Sequence, residues 1–168
     1  MTLTRLTPDA AAEYRALMLR AYTDAPTAFT STTAEREALP LSWWESRLQD
    51  TVVIGAFDAD RLVGVAGLRP ERRERTSHKA TLFGMFVVPS CRGRGLGRDL
   101  VDAVLDHAHS SPSLRVVQLT VTDSNGPAVR LYEACGFVRF GSEPYAVQTA
   151  DGFVTKAHMW CDVFDGTA

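Results

Sequence analysis

Val87-Val88-Pro89-Ser90-Cys91-Arg92-Gly93-Arg94-Gly95-Leu96-Gly97-Arg98 is the stretch on which the fold turns. Before it, Thr81 to Val88 is a near-continuous apolar run, the pattern of a strand buried on both faces. Pro89 ends that run, because proline brings no N–H to a sheet ladder. After it, Leu96, Leu100, Val101, Val104, Leu105 and Ala108 recur at helical spacing. Gly93, Gly95 and Gly97 stand between strand and helix, where a missing Cβ permits positive φ and close approach of a ligand to the backbone. The first-turn amides of a helix have no intrahelical partner, and the helix dipole places about half a positive charge beside them. With Arg92, Arg94 and Arg98 around it, this turn has the makings of a pyrophosphate site.

Two familiar phosphate-binding arrangements do not fit. No Gly-Lys-Ser/Thr follows at P-loop spacing. A dinucleotide fold would offer a strand, glycines, a helix and an acid such as Asp123 at the end of the next strand. Here, however, the glycines run Gly-x-Gly-x-Gly, and the single parallel crossover lies mid-chain behind a hairpin.

Outward from the turn, the pattern reads as a mixed α/β chain. Arg115 to Thr122 is the next strand. Asn125 opens a helix to about Cys135, Gly136 closes it, Phe137 to Phe140 starts a strand, and Val154 to Val163 is the last. Upstream, Thr51–Phe57 and Arg61–Leu68 are β-rich runs joined by Asp58-Ala59-Asp60, a hairpin signal. The charged run Arg69 to Lys79 reads as a solvated loop. At the N-terminus, Leu3–Leu6 reads as a short strand. A helix capped by Thr7, with Pro8 in its first turn, runs to about Tyr22. Residues 34–49 are helical with a break at Pro40, and of the adjacent Trp43 and Trp44 at least one must meet a surface or groove.

The 168 residues suffice for one domain with a sizeable core. Eighteen Lys+Arg against 20 Asp+Glu give a net charge of −2, which provides no footing for nucleic acid or an anionic membrane. No apolar run approaches the ~20 residues of a membrane span, and the first residues lack a secretory pattern. Three cysteines, Cys91, Cys135 and Cys161, have no metal-ligand spacing and suit a reducing cytoplasm, so no metal is expected.

The turn Arg92-Gly93-Arg94-Gly95-Leu96-Gly97 after Val87-Val88-Pro89 resembles the acetyl-CoA signature of the GNAT family of N-acetyltransferases. A second block agrees: Asn125-Gly126-Pro127-Ala128-Val129-Arg130-Leu131-Tyr132-Glu133-Ala134-Cys135-Gly136-Phe137 is similar to that family's Asn-x-x-Ala-x-x-Leu-Tyr-Glu-x-x-Gly-Phe segment. The resemblance implies a single α/β GNAT-like domain over residues 1–168. Its sheet would be mixed and mostly antiparallel, flanked by helices, with a central parallel strand pair (81–88 and 115–122) that splays into a wedge. It implies acetyl-CoA as co-substrate, with pantetheine on the backbone of Met85, Phe86 and Val87. Pyrophosphate would lie on Arg92, Gly93, Arg94, Gly95, Leu96, Gly97 and Arg98, and Asn125 on the cofactor arm. The residues alone read Asn125 equally well as a helix N-cap, and Gly84 as a strand bulge that frees backbone groups.

The implied reaction is direct acetyl transfer to an amine, with Tyr132 as general acid. A phenol of pKa about 10 can deliver a proton to a departing thiolate whose conjugate acid has a pKa of about 8.5. Where relatives carry a glutamate base, this chain has Leu82 and Thr120. His78, Asp123, Glu143, His158 or a water chain are the alternatives. Cys91 beside the turn is not read as a nucleophile. The acceptor is a small primary amine, an amino-acid derivative or a protein N-terminus, expected to be held by the two N-terminal helices and the segment between the last two strands. Phe29, Trp43, Trp44, Glu143, Tyr145 and Asp151 are candidate contacts. The family often forms homodimers, which makes a second copy a conceivable partner. The rival reading is a non-catalytic acyl-CoA sensor, which would need the turn but not Tyr132.

Overall fold

The computed structural model describes residues 1–164. The last four residues of the expected 1–168 domain lie outside the described part. One seven-stranded sheet runs through the chain in the order β1-β2-β3-β4-β5-β7-β6. Its strands are β1 (Thr2–Arg5), β2 (Val52–Asp58), β3 (Arg61–Pro70), β4 (Lys79–Val87), β5 (Val116–Thr122), β6 (Val138–Thr149) and β7 (Gly152–Asp162). Only β4 and β5 are parallel, and every other neighbouring pair is antiparallel. The helices are α1 (Ala11–Asp24), α2 (Thr33–Glu37), α3 (Leu41–Asp50), α4 (Leu96–His109) and α5 (Gly126–Ala134).

β3 is buried at every position from Leu62 to Leu68, as a strand covered on both faces must be. α4 packs on β2 and β3, and α1 packs on β3 and β4. The apolar stripe predicted for α4 is buried throughout.

Several local expectations change. Thr7 stands at the N-cap of a 3-10 turn, Pro8–Ala10, but its side chain makes no capping bond, and α1 begins only at Ala11. Pro40 does divide the second helical region, into α2 and α3. α2 starts with a capping box: the Glu35 amide donates to Thr32 Oγ1 at 3.2 Å, and the Thr32 amide donates to Glu35 at 2.7 Å. The charged run loses its ends to β3 and β4, and a 3-10 turn at Glu74–Thr76 lies between them. The largest difference is at the C-terminal hairpin. The strand expected to start at Phe137–Phe140 is β6, which runs on to Thr149, and β7 starts at Gly152. Register shifts at Arg139/Gly141 and Glu143/Val147, with Tyr145 at φ +56°, break the alternation that would betray so long a strand.

Candidate functional site

The site begins where the sheet comes apart. β4 and β5 pair at Lys79–Val116, Ala80–Val117 and Thr81–Gln118, and their register ends there. On its other side β4 carries the bulge expected from the sequence. Val65 faces Phe86 and Gly67 faces Phe83, so Gly84 and Met85 share one place opposite β3. Gly84 sits at φ +62°, and a Cβ there would come no nearer than 3.8 Å to Met18. The backbone conformation, not crowding, calls for glycine.

Past Val87, the chain turns into α4 through Gly93 (φ +75°) and Gly95 (φ +83°), with open space where either Cβ would stand. Gly95 caps α4 from the left-handed region: its carbonyl accepts from the Arg98 amide at 2.8 Å and the Asp99 amide at 3.1 Å. Among the described residues, none of the amides from Gly93 to Gly97 donates to a backbone carbonyl outside the helix. The Arg92 Nε donates to the Val87 carbonyl at 2.8 Å and its guanidinium lies 5.6 Å from the Phe86 ring centre, which fixes the arginine beside the turn. Gly97 is the crowded glycine, since a Cβ would meet Leu131 and Met85 at 3.3 Å.

α5 shows why its motif reads as it does. Asn125 caps it, with the Ala128 amide donating to Asn125 Oδ1 at 3.3 Å and Pro127 in the first turn. Its far end is a Schellman closure. The Gly136 amide donates to the Glu133 carbonyl, the Phe137 amide donates to the Tyr132 carbonyl (3.0 Å each), and Gly136 adopts φ +89°. The apolar contact that accompanies such closures is the edge-on pair Tyr132–Phe137, with ring centres 5.8 Å apart. The Leu-Tyr-Glu-x-x-Gly-Phe run is thus a device for clamping Tyr132. Burial, and secondarily the neighbouring Cys135, pushes the Tyr132 phenol above its ordinary range, so it keeps its proton. Among the described residues its hydroxyl has no hydrogen-bond partner.

A single cavity of about 680 Å³ joins these pieces. Met85, Phe86, Val87, Arg92, Gly93, Gly95, Gly97, Arg98, Asn125 and Tyr132 all line it. Arg94 and Leu96 do not: Arg94 is exposed, and the Leu96 side chain belongs to the core. Leu82 and Thr120 line it too, and neither can take a proton. The alternative bases are occupied elsewhere. His158 bonds Glu143 at 2.7 Å and Asp123 pairs with Arg139 at 2.7 Å, while His78 does not line the cavity. No aspartate, glutamate or histidine lines the cavity among the described residues. Cys91 is buried in the core, away from it.

Of the acceptor-side candidates, only Phe29 reaches the cavity. Trp44 is fully buried, Trp43 is partly buried against the core, and Tyr145 points to solvent at 76 % exposure. Residues that sequence reading missed stand in their place: Tyr22, Arg36, Arg47, Arg69, Thr122 and Lys156. Thr122 Oγ1 donates to the Thr27 carbonyl at 2.6 Å and Lys156 Nζ to the Ala28 carbonyl at 3.1 Å, so the core strands hold the α1–α2 loop down over the cavity. Desolvation lowers the Lys156 pKa, partly offset by Glu143. A lysine among the apolar residues of the last strand was the one available sign.

The comparisons agree with this geometry. N-alpha-acetyltransferase RimI of Mycobacterium tuberculosis is 35 % identical over 106 residues, 61 % of this chain and 63 % of that protein. The chain spans less than two thirds of the length of the first curated relatives it matches. A GNAT-family acetyltransferase from Streptococcus pneumoniae superposes with a TM-score of 0.85 at 27 % identity, covering 96 % of this chain and 98 % of that one. YncA of Salmonella typhimurium, solved with its cofactor acetyl-CoA, shares the fold at a TM-score of 0.83 and 20 % identity, covering 100 % of this chain and 96 % of that one. The sequence model of the Acetyltransferase (GNAT) family matches residues 15–137, spanning both motif blocks and the wedge between them. The chain therefore belongs to the GNAT family of acetyltransferases.

Proposed function

We propose that the protein transfers an acetyl group from acetyl-CoA to an amine by direct attack on the thioester, with Tyr132 as general acid. The observation that carries this reading is the continuous cavity, which runs from the unpaired amides of Gly93–Gly97, through the wedge beside β4, to Tyr132 and beyond. The diphosphate would sit on those amides with Arg92 and Arg98 alongside. Pantetheine would lie along the opened edge of β4 at Met85–Val87, like a short added strand. Asn125, which caps α5, faces the same space.

The amine lone pair attacks the acetyl carbonyl carbon, and the tetrahedral intermediate collapses with loss of the CoA thiolate. The Tyr132 hydroxyl supplies that thiolate's proton, and the amine's surplus proton passes to water. The buried phenol and the leaving thiolate share one poorly solvated space. Both anions are therefore disfavoured together, and transfer between them moves charge without creating it. The space beyond Tyr132 favours an enzyme over a sensor, since a sensor needs no room for a second substrate. Three free cysteines and no helix long and apolar enough to cross a membrane among the described residues support placement in a reducing cytoplasm.

The test is calorimetric titration with acetyl-CoA, followed by thiol-release assays against an amine panel. Heat of binding and amine-dependent thiol release are expected. Binding without transfer to any amine would establish the sensor, and absence of binding would remove both readings.

A further inference from the structure

Arg36, Arg47 and Arg69 all line the cavity, yet they come from α2, α3 and the end of β3. Two aromatic rings assemble them. The Arg36 and Arg47 guanidinium carbons lie 4.7 and 5.1 Å from the Trp43 ring centre. Those of Arg47 and Arg69 lie 4.5 and 5.7 Å from that of Phe83. The order is Arg36, Trp43, Arg47, Phe83, Arg69, a ladder of planar cations held on ring faces. Arg69 pairs with Thr81, where the wedge opens, whereas the phosphate-type turn follows Val87 at the other end of β4. The ladder therefore lies at the far end from the amides. Lys156, itself 4 % exposed, lines this space as well.

Among the described residues, the three arginines have no ion-pair partner, and no carboxylate lines the cavity. Arg36 Nη2 donates to Ser31 at 2.8 Å, but its Nε is buried without a partner. Arg47 Nε donates to the Tyr14 hydroxyl at 3.3 Å and to no acid. Guanidinium groups held over rings can still offer N–H donors to an oxyanion, which they bind bidentately. A polycationic amine would meet like charge from the three arginines and Lys156.

From this we infer that the acceptor is a small amine carrying its own oxyanion, a carboxylate or the equivalent phosphonate or sulfonate. The arginine ladder holds the anion, and the amino group points toward the thioester near Tyr132. The inference rests on the acetyltransferase reading and supplies what that reading lacks. Surplus cationic charge around an ammonium favours its neutral form, so the amine gives up its proton to water with less need of a protein base.

The test uses the purified protein with acetyl-CoA and thiol release as readout. The panel holds α-amino acids, aminoalkyl phosphonates and sulfonates, the amides of the same amino acids, spermidine, and peptides with free N-termini. Anionic amines should be turned over, and converting the carboxylate to the amide should raise KM. Arg36→Gln and the exposed Arg69→Gln should each raise KM for the anionic amine by about 10- to 100-fold, the scale of a lost charged hydrogen bond. The acetyl-CoA KM should stay put, and the gap between acid and amide should close. Preference for spermidine or neutral amines, activity confined to peptides, or acetyl-CoA binding with neither binding nor turnover of any anionic amine would each overturn the inference while leaving the donor site intact. Failure to bind acetyl-CoA would instead defeat the acetyltransferase reading and take this inference with it.

Discussion

Tyr132→Phe separates chemistry from architecture unusually well in this fold. The substitution removes one hydroxyl that has no hydrogen-bond partner among the described residues. The ring stays, and so do the 5.8 Å edge contact with Phe137 and the main-chain Schellman closure that positions it. No cavity opens and no buried partner is orphaned, so ΔΔG should stay within about 0.5 kcal/mol. At ~2–4 °C per kcal/mol for a chain of this size, the melting temperature should move by less than about 2 °C. Loss of a general acid costs about 10²- to 10⁴-fold, or roughly 2.7–5.4 kcal/mol of transition-state stabilisation. The assay pairs kcat from thiol release with acetyl-CoA affinity from calorimetry. We expect kcat to fall by at least about a hundredfold, with affinity and melting temperature nearly unchanged. An unaltered kcat refutes the assignment. A loss of kcat accompanied by a matching loss of thermal stability would move Tyr132 from chemistry to packing.

Two other perturbations probe the same structure. Gly95→Ala places a side chain at φ +83° with nothing within 4 Å of the new Cβ, so only backbone strain of about 1–2 kcal/mol opposes it. Melting temperature should fall by roughly 2–8 °C, and acetyl-CoA affinity should fall more than that strain accounts for, because the amides turn away from the diphosphate; unchanged affinity would take the turn out of the donor site. The second concerns pH. Burial first, then neighbouring Asp102, pushes the Cys135 thiol from 9.0 up to about 11. A pKa raised in the folded state contributes stability that is whole below pH 9.0 and is lost as pH rises toward about 11, because the unfolded chain releases its proton first. Tyr14 and Tyr132, also raised by burial, extend the loss to higher pH. Urea midpoints should decline across that window and decline less steeply in Cys135→Ala, and an identical slope in the variant would contradict the assignment.

The central third of the fold was legible because local chemistry dictates it. An apolar strand, a proline stop, alternating glycines and an amphipathic helix each constrain the next, and Asn125 to Phe137 spells both ends of α5 in order. Gly84 could be suspected as a bulge because glycine inside a strand has few other uses. The acceptor side was opaque for the opposite reason. Arg36, Arg47 and Arg69 lie on three elements and meet only through Trp43 and Phe83, so no spacing announces them. Arg69 was hidden inside a charged run that otherwise behaves as a solvated loop. β6 escaped because it is an edge strand, largely exposed on both faces, where the apolar alternation that betrays a strand need not exist. The missing base was legible as an absence at Leu82 and Thr120, but not the electropositive surroundings that answer it.

The parting of β4 and β5 after Thr81 and Gln118 leaves raw ladder groups in the middle of a sheet, where proteins ordinarily tolerate them least. On the proposed reading a donor molecule seated there would complete the weave, so occupancy and folding would become linked quantities. At a concentration a hundredfold above Kd such a ligand adds about 2.7 kcal/mol to conformational stability. The lifetime of this protein against proteolysis should then track the supply of its acyl donor, with the starved form the first to be cleared.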